Sequence, residues 1–211
     1  MSSVVVIDYG MGNLHSIAKA LEHAGGRVEV SRDPARIRAA ERLVFPGVGA
    51  IRHCMEELER LELAELIREQ AGQRPLLGVC LGMQAMLDFS EENEGTRALG
   101  LFPGRVRRFP QGLTDAAGTP LKVPHMGWNQ VETCAHPLWD GIASGTRFYF
   151  VHSYYVDPAR ASDVRGWTEY GLGFASAIGR DNVFAVQFHP EKSQQAGLRL
   201  LANFLAWDGT A

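Results

Sequence analysis

No apolar run in the 211-residue chain approaches the roughly 20 residues of a membrane-spanning helix. No basic excess marks it as a nucleic-acid binder, because the formal net charge is −3 and such proteins usually carry a strongly basic face. Cysteine is scarce: Cys54, Cys80 and Cys134 are an odd set without regular spacing. That argues against a disulfide framework, and the absence of any CxxC argues against a zinc knuckle. The seven histidines include no HxxxH pair, so neither a metal nor a cofactor is expected. No basic residues precede Val4-Val5-Val6-Ile7, a run too short for a signal-peptide core. It reads as a buried first strand, and the chain is expected to be cytoplasmic. Nor does a run of Pro, Ser or charge divide the sequence, so residues 1–211 are expected to form one domain. With 45% hydrophobic and 21% charged residues, that domain has the composition of an ordinary soluble globular protein and is large enough to bury a core.

What is present in the first half is alternation. Val4 to Asp8 is a continuous apolar run, as expected of a parallel strand covered on both faces. Leu14, Ile17, Ala18 and Leu21 repeat at helical spacing, and Gly25-Gly26 ends that helix. Strands are predicted at Val28–Val30, Leu43–Phe45 and Pro75–Val79. Asp33-Pro34 caps a short helix. Met55, Leu58, Leu61 and Ile67 suggest one long amphipathic helix, and Gly82 to Phe89 another. Further strands are predicted at Arg105–Phe109, Val131–Thr133, Phe148–Val156, Gly173–Ile178 and Val183–Phe188. A closing helix over Ser193–Trp207 turns Leu198, Leu201, Phe204 and Leu205 inward. The pattern predicts an α/β fold with a mostly parallel central sheet flanked by helices, and extra antiparallel strands in the second half.

Gly78-Val79-Cys80-Leu81-Gly82 falls between a buried strand and a helix. This is the G-x-nucleophile-x-G arrangement of a sharp strand-to-helix elbow. Such a turn lifts the Cys80 sulfur above the sheet edge, close to a helix start whose dipole favours thiolate. The backbone N–H of Leu81 then points where an oxyanion would form. Cys54 and Cys134, lacking this context, read as buried core cysteines. Far along the chain, the strand ending Gln187-Phe188-His189-Pro190-Glu191 carries a candidate base. In extended chain, His189 and Glu191 project to the same side, so Glu191 can hold the imidazole while His189 takes the Cys80 proton. In a parallel sheet both meet at the carboxyl ends of the strands. The other six histidines read as structural.

These two segments, extended to Gly78-Val79-Cys80-Leu81-Gly82-Met83-Gln84, resemble the signatures of class I (triad) glutamine amidotransferases in order and separation. The resemblance implies Cys80 as nucleophile, His189 as base, Glu191 as orienter, and a γ-glutamyl thioester on Cys80. Within that family, four further segments are similar to the glutaminase subunits of imidazole glycerol phosphate synthase, which serves histidine biosynthesis. They are Asp8 to Leu14, Pro46 to Ala50, Lys122 to Asn129 and Phe150 to Tyr155, and with the signatures they span essentially the whole chain. The resemblance implies oxyanion donors near Gly47 and Val48. It places Gln84, Ser153 and Tyr154 at the amino-acid end of glutamine, and Trp128, Asn129 and Lys192 at a partner boundary and ammonia passage. Where most relatives read Pro-Gly-Gly, this chain has Pro46-Gly47-Val48-Gly49. That suggests a peptide misaligned at rest that turns when the partner and its ligand bind.

A 211-residue chain leaves no room for a (β/α)₈ barrel of about 250 residues, so the implied cyclase is a separate subunit in a heterodimer. Competing readings are a glutaminase serving another synthase, such as a surface-sugar amidotransferase, and a non-enzymatic module on the same fold. A dinucleotide-binding reading of Gly10-x-Gly12 fails because the third glycine position is His15.

Overall fold

Runs of β-branched residues separated by helical stripes fold into a layered sheet whose strand ends gather the chemistry-bearing residues. The structure is a computed structural model that describes residues 2–210. The first half runs β1 (Ser3–Ile7), α1 (Leu14–His23), β2 (Arg27–Ser31), α2 (Pro34–Ala39), β3 (Arg42–Gly47), α3 (Ile51–Arg60), α4 (Leu63–Ala71), β4 (Leu76–Cys80) and α5 (Leu81–Ala85). Then follow β5 (Leu87–Ser90), β6 (Thr96–Arg97), β7 (Phe102–Arg108), β8 (His125–Thr133), β9 (Thr146–His152), β10 (Tyr154–Pro158), β11 (Val164–Glu169), β12 (Gly173–Arg180), β13 (Val183–Val186) and α6 (Gln194–Ala206).

Strands β2, β1, β3, β4 and β13 lie side by side and pair in parallel. β12 joins β13 antiparallel, and the sheet continues through β10, β7, β5 and β6. β11, β8 and β9 form an antiparallel branch off β12. This is the mixed sheet expected, parallel at its centre and antiparallel where the second half of the chain extends it. The period of two along β1 shows why helices cover both faces. Val5 and Ile7 enter one core with Phe45, Met55 and Ile67. Val4 and Val6 enter the other with Ile17, Leu21, Leu200 and Phe204. Asp33 caps α2 by accepting a hydrogen bond from the Ala35 N–H at 2.8 Å, as predicted.

Several expectations need correction. The run from Met55 to Ile67 is two helices, with Glu62 between them in the left-handed region at φ 58°. The buried stripe of α3 ends at Leu58 and that of α4 starts at Leu63. This five-residue step does not fit one helical face, and the turn at Glu62 resets the phase. The helix predicted over Gly82–Phe89 stops at Ala85, because Leu87–Ser90 pairs as β5 with β7. The single strand predicted over Phe148–Val156 breaks at Ser153, since β9 pairs with β8 whereas β10 pairs with β7 and β12. In α6 the buried leucines are Leu200, Leu201 and Leu205, while Leu198 is only half-buried. β6 and β11 had no prediction: the first has two residues and the second carries charge at both ends.

Glutamate held at positive φ costs on the order of 1 kcal/mol that glycine does not pay. Glu62→Gly is therefore expected to raise the urea midpoint slightly, by up to about 1 kcal/mol in stability. A lowered midpoint would show that the turn is held by something other than backbone conformation.

Candidate active site

Cys80 ends β4 at φ 54° and ψ −110° and leads directly into α5. Positive φ is uncommon for any non-glycine residue and costs strain that the surroundings must hold. The surroundings here are glycines. A Cβ on Gly82 would collide with the Phe45 carbonyl of β3, and one on Gly78 would lie 2.9 Å from the Ala185 Cβ of β13. The elbow therefore packs against both neighbouring strands with no room for side chains. Register places Gly47 opposite Cys80, so the Gly47-Val48 segment runs beside the sulfur. Leu81, as the first residue of α5, has a backbone N–H without an intrahelical acceptor. With only five residues, α5 supplies a few oriented N–H groups more than an extended dipole.

His189 arrives from the strand next door. Its N–H donates to the Tyr149 carbonyl at 2.9 Å. Its ring Nδ1 lies 2.8 Å from Glu191 Oε1, and the two side chains are only 3% and 4% exposed. A carboxylate only accepts, so Nδ1 carries the proton. Nε2 is buried and has no hydrogen-bond partner, and neither has Glu191 Oε2. The pair is not in the extended chain that its spacing predicts: Pro190–Lys192 forms a turn of 3-10 helix, which curls the carboxylate back onto the ring. Burial opposes charge on His189, but Cys80 and Glu191 more than offset it and hold its pKa up to about 10. The ring is thereby favoured in its protonated form at neutral pH, in the cavity that Cys80 also lines.

One cavity of about 360 Å³ is lined by Cys80, His189, Val48, Leu81, Gln84, Ser153 and Tyr154. Gly47 and Glu191 line a small crevice next to it, shared with Val48 and His189. Gln84 donates through Nε2 to the Tyr154 carbonyl and to Gln187 Oε1, both at 3.0 Å. Gln187 Nε2 in turn points at Cys80 Sγ, 3.7 Å away. Gln187 was not among the predicted site residues. Its signal is its position two before His189, which turns both toward the same side. Trp128, Asn129 and Lys192 lie outside this cavity. Trp128 and Asn129 line a second, open cavity of about 730 Å³. The Trp128 ring meets Tyr149 edge-on at 6.0 Å, and Lys192 Nζ sits 5.9 Å over the same tyrosine ring. Trp128 and Lys192 thus share one outer face around Tyr149, whereas Asn129, the next residue of β8, turns its side chain to the opposite side, toward His125. Cys54 is buried as expected, and burial pushes its thiol up to about 12. Cys134 is exposed, a correction that follows from its place just past the end of β8. Among the described residues, no cluster of His, Cys, Asp or Glu could hold a metal ion. None of the described helices is long and apolar enough to cross a membrane.

The model of the family "Glutamine amidotransferase class-I" matches residues 5–207. The chain belongs to this family. Among related amidotransferases, imidazole glycerol phosphate synthase subunit HisH of Methylococcus capsulatus is 62% identical, over 99% of this chain and 98% of its own. The protein of the same name from Nitrosococcus oceani is 59% identical over the full length of both. Solved structures agree in fold at lower identity. A glutamine amidotransferase superposes with TM-score 0.72 at 15% identity, covering 96% of this chain and 99% of that one. PurLQS from Thermotoga maritima gives 0.71 at 16%, with 97% and 98% covered.

In this amidotransferase the raised pKa of His189 rests on Cys80 and Glu191 together. Removing the sulfur in Cys80→Ala is expected to lower that pKa, read as the titration midpoint of the ring in nitrogen-15 NMR spectra. A midpoint unchanged by the substitution would mean the sulfur does not face the ring. Gly82→Ala is expected to destabilise the fold by several kcal/mol, as overpacking against backbone does, measurable by urea denaturation.

Proposed function

We propose that the chain hydrolyses glutamine on Cys80 and hands the ammonia to a separate cyclase subunit of imidazole glycerol phosphate synthase, for histidine biosynthesis. The observation that carries this reading is His189 at the sheet edge. One ring nitrogen is fixed by buried Glu191 and the other is unpartnered, in the cavity that also holds the strained Cys80. The full-length relatives named as HisH subunits support the choice of synthase. They favour it over a surface-sugar amidotransferase.

In the proposed chemistry, the Cys80 thiolate attacks the glutamine γ-carbonyl carbon. Backbone N–H groups of Leu81 and of the Gly47-Val48 peptide bind the oxyanion. The His189 imidazolium gives its proton to the departing nitrogen, the C–N bond breaks, and ammonia leaves a γ-glutamyl thioester. His189, now neutral, takes a proton from water as the water attacks the thioester. Glutamate departs and the thiolate returns. Gln84, Ser153 and Tyr154 wall the side of the cavity assigned to the α-amino and α-carboxylate groups.

Free ammonia in water is mostly protonated and no longer nucleophilic, so a docked acceptor with a closed passage suits the chemistry. The proposed partner is a (β/α)₈ cyclase, and the proposed boundary is the surface region around Trp128, Asn129 and Lys192. Trp128 is 43% exposed and Met126 is 61% exposed, which makes this face a fitting apolar anchor. No cofactor has a role in these steps. The chain acts as a single domain in the cytoplasm.

The Gly47-Val48 peptide is proposed to supply its oxyanion N–H only when the partner and its ligand are bound. Glycine at 47, and Gly49 at φ 98°, keep rotation there cheap. Isolated chain should hydrolyse glutamine roughly 10- to 100-fold more slowly than the liganded complex, the range of a coupling of about 1–3 kcal/mol. An isolated chain running at full speed would contradict that control. Cys80→Ala in the complex should lower glutamine-dependent synthesis by at least about 10⁴-fold while ammonia-dependent synthesis continues. Persistence of glutamine-dependent synthesis would remove Cys80 from the mechanism.

A further inference from the structure

Two buried histidines outside the proposed chemistry join the wall of the Cys80 cavity to the second, open cavity. His125 in β8 and His152 in β9 are direct cross-strand partners, so their side chains emerge on the same face. His125 Nδ1 and His152 Nε2 are 2.9 Å apart. His152 Nδ1 lies 2.8 Å from the Tyr154 carbonyl oxygen. Asn129 Nδ2 lies 3.3 Å from His125 Nε2 and also donates to the Glu169 carbonyl at 2.9 Å.

The ends of this chain fix the direction of every bond in it. A carbonyl only accepts, so His152 carries its proton on Nδ1 and accepts at Nε2. His125 must then donate from Nδ1 and accept at Nε2. Asn129, whose amide nitrogen only donates, completes the series. All four ring nitrogens are used, and no imidazole is left over to act as acid or base. Burial above all pushes the pKa of His125 down to about 4 and that of His152 to about 3, so both rings are neutral at pH 7 and the order is kept. The Tyr154 carbonyl at the end of the chain also accepts from Gln84, which donates to Gln187, which faces Cys80 Sγ. A single run of hydrogen bonds thus connects Asn129, in the open cavity beside Trp128, with the sulfur. Tyr154 begins β10 just after the strand break at Ser153. His152, bonding from the last residue of β9 across that break, pins the kink that turns Ser153 and Tyr154 into the cavity.

We propose that His125 and His152 are positioning residues for glutamine, holding the Tyr154 carbonyl and Gln84 in place and tying that wall to Asn129. The proposal rests on the glutaminase reading above. It gives the pair no part in bond making, so its loss is felt in substrate binding.

The test uses the complex with the cyclase. His125→Phe removes both ring nitrogens but keeps a ring to stack on Phe150 and Tyr170, now 4.8 and 4.0 Å away. The KM for glutamine is expected to rise about tenfold with kcat held within about threefold. Ammonia-dependent synthesis should not change. His125→Asn keeps a donor near the Nδ1 position and should recover most of the loss in KM. A folded His125→Phe complex with parental KM overturns the proposal, as does a loss of kcat at unchanged KM. Should His125→Phe not fold, nitrogen-15 spectra of the parent complex decide. The proposal expects both rings protonated at Nδ1 and bare at Nε2, and an Nε2–H tautomer or an imidazolium at pH 7 on either ring refutes it. A parent complex inert toward glutamine overturns the underlying reading and the proposal with it. A parent that turns over beside an unaffected variant overturns the proposal alone.

Discussion

The bond between His189 and Glu191, buried at the edge of the sheet, sets the terms for everything around it. An imidazole and a carboxylate this far from water are tolerable only as a hydrogen-bonded pair, because an isolated buried charge is far costlier. The pairing leaves the other ring nitrogen unpartnered, in a residue that lines the same cavity as Cys80. The sheet delivers both: β13 lies next to β4 in parallel register, so their carboxyl ends bring the histidine and the cysteine to one edge. The strain at Cys80 and the collision-tight glycines around it follow from fitting a reactive sulfur into that corner.

Much of this is legible in the residues alone. The apolar run at Val4 and the stripe from Leu14 to Leu21 describe their own elements, since burial on one or both faces writes a period into the residues. The strand-to-helix elbow was legible because glycines flank Cys80 where nothing else fits. His189 and Glu191 were legible as a pair, though not their local geometry: an extended His-x-Glu and one curled by a turn after Pro190 have the same spacing. Spacing limits which side chains can meet, and the backbone path decides how.

What escaped the sequence has common causes. Glu62 breaks a helix without Gly or Pro, so only the slip in the buried stripe between Leu58 and Leu63 betrays it. Ser153 breaks a strand inside a uniformly aromatic and β-branched run, because the two halves answer to different neighbours in the sheet. Gln187, His125 and His152 matter through partners far away in the chain. No local pattern marks a buried glutamine or histidine as connected, and most such residues are simply satisfied.

The break at Ser153 carries a wider consequence. A continuous strand from Thr146 to Pro158 would keep its side chains alternating between two faces, and no stretch of its backbone would be free to face the cavity. Interrupting it moves the chain from the β8–β9 branch into the main sheet and exposes a carbonyl, at Tyr154, to groups from three elements. His152 reaches it from β9, Gln84 from α5, and Gln187, through Gln84, from the end of β13. Each alone is a modest interaction, worth about 1 kcal/mol net. Because His152 and Gln84 both donate to the one Tyr154 carbonyl, displacing any member leaves a buried polar group unpaired elsewhere in the series, which costs more than the bond itself. A cavity wall built this way resists small local shifts yet answers to its outer end. Asn129 is half-buried and lines the open cavity that Trp128 also borders, so whatever fills that cavity also bears on the position of the wall beside Cys80.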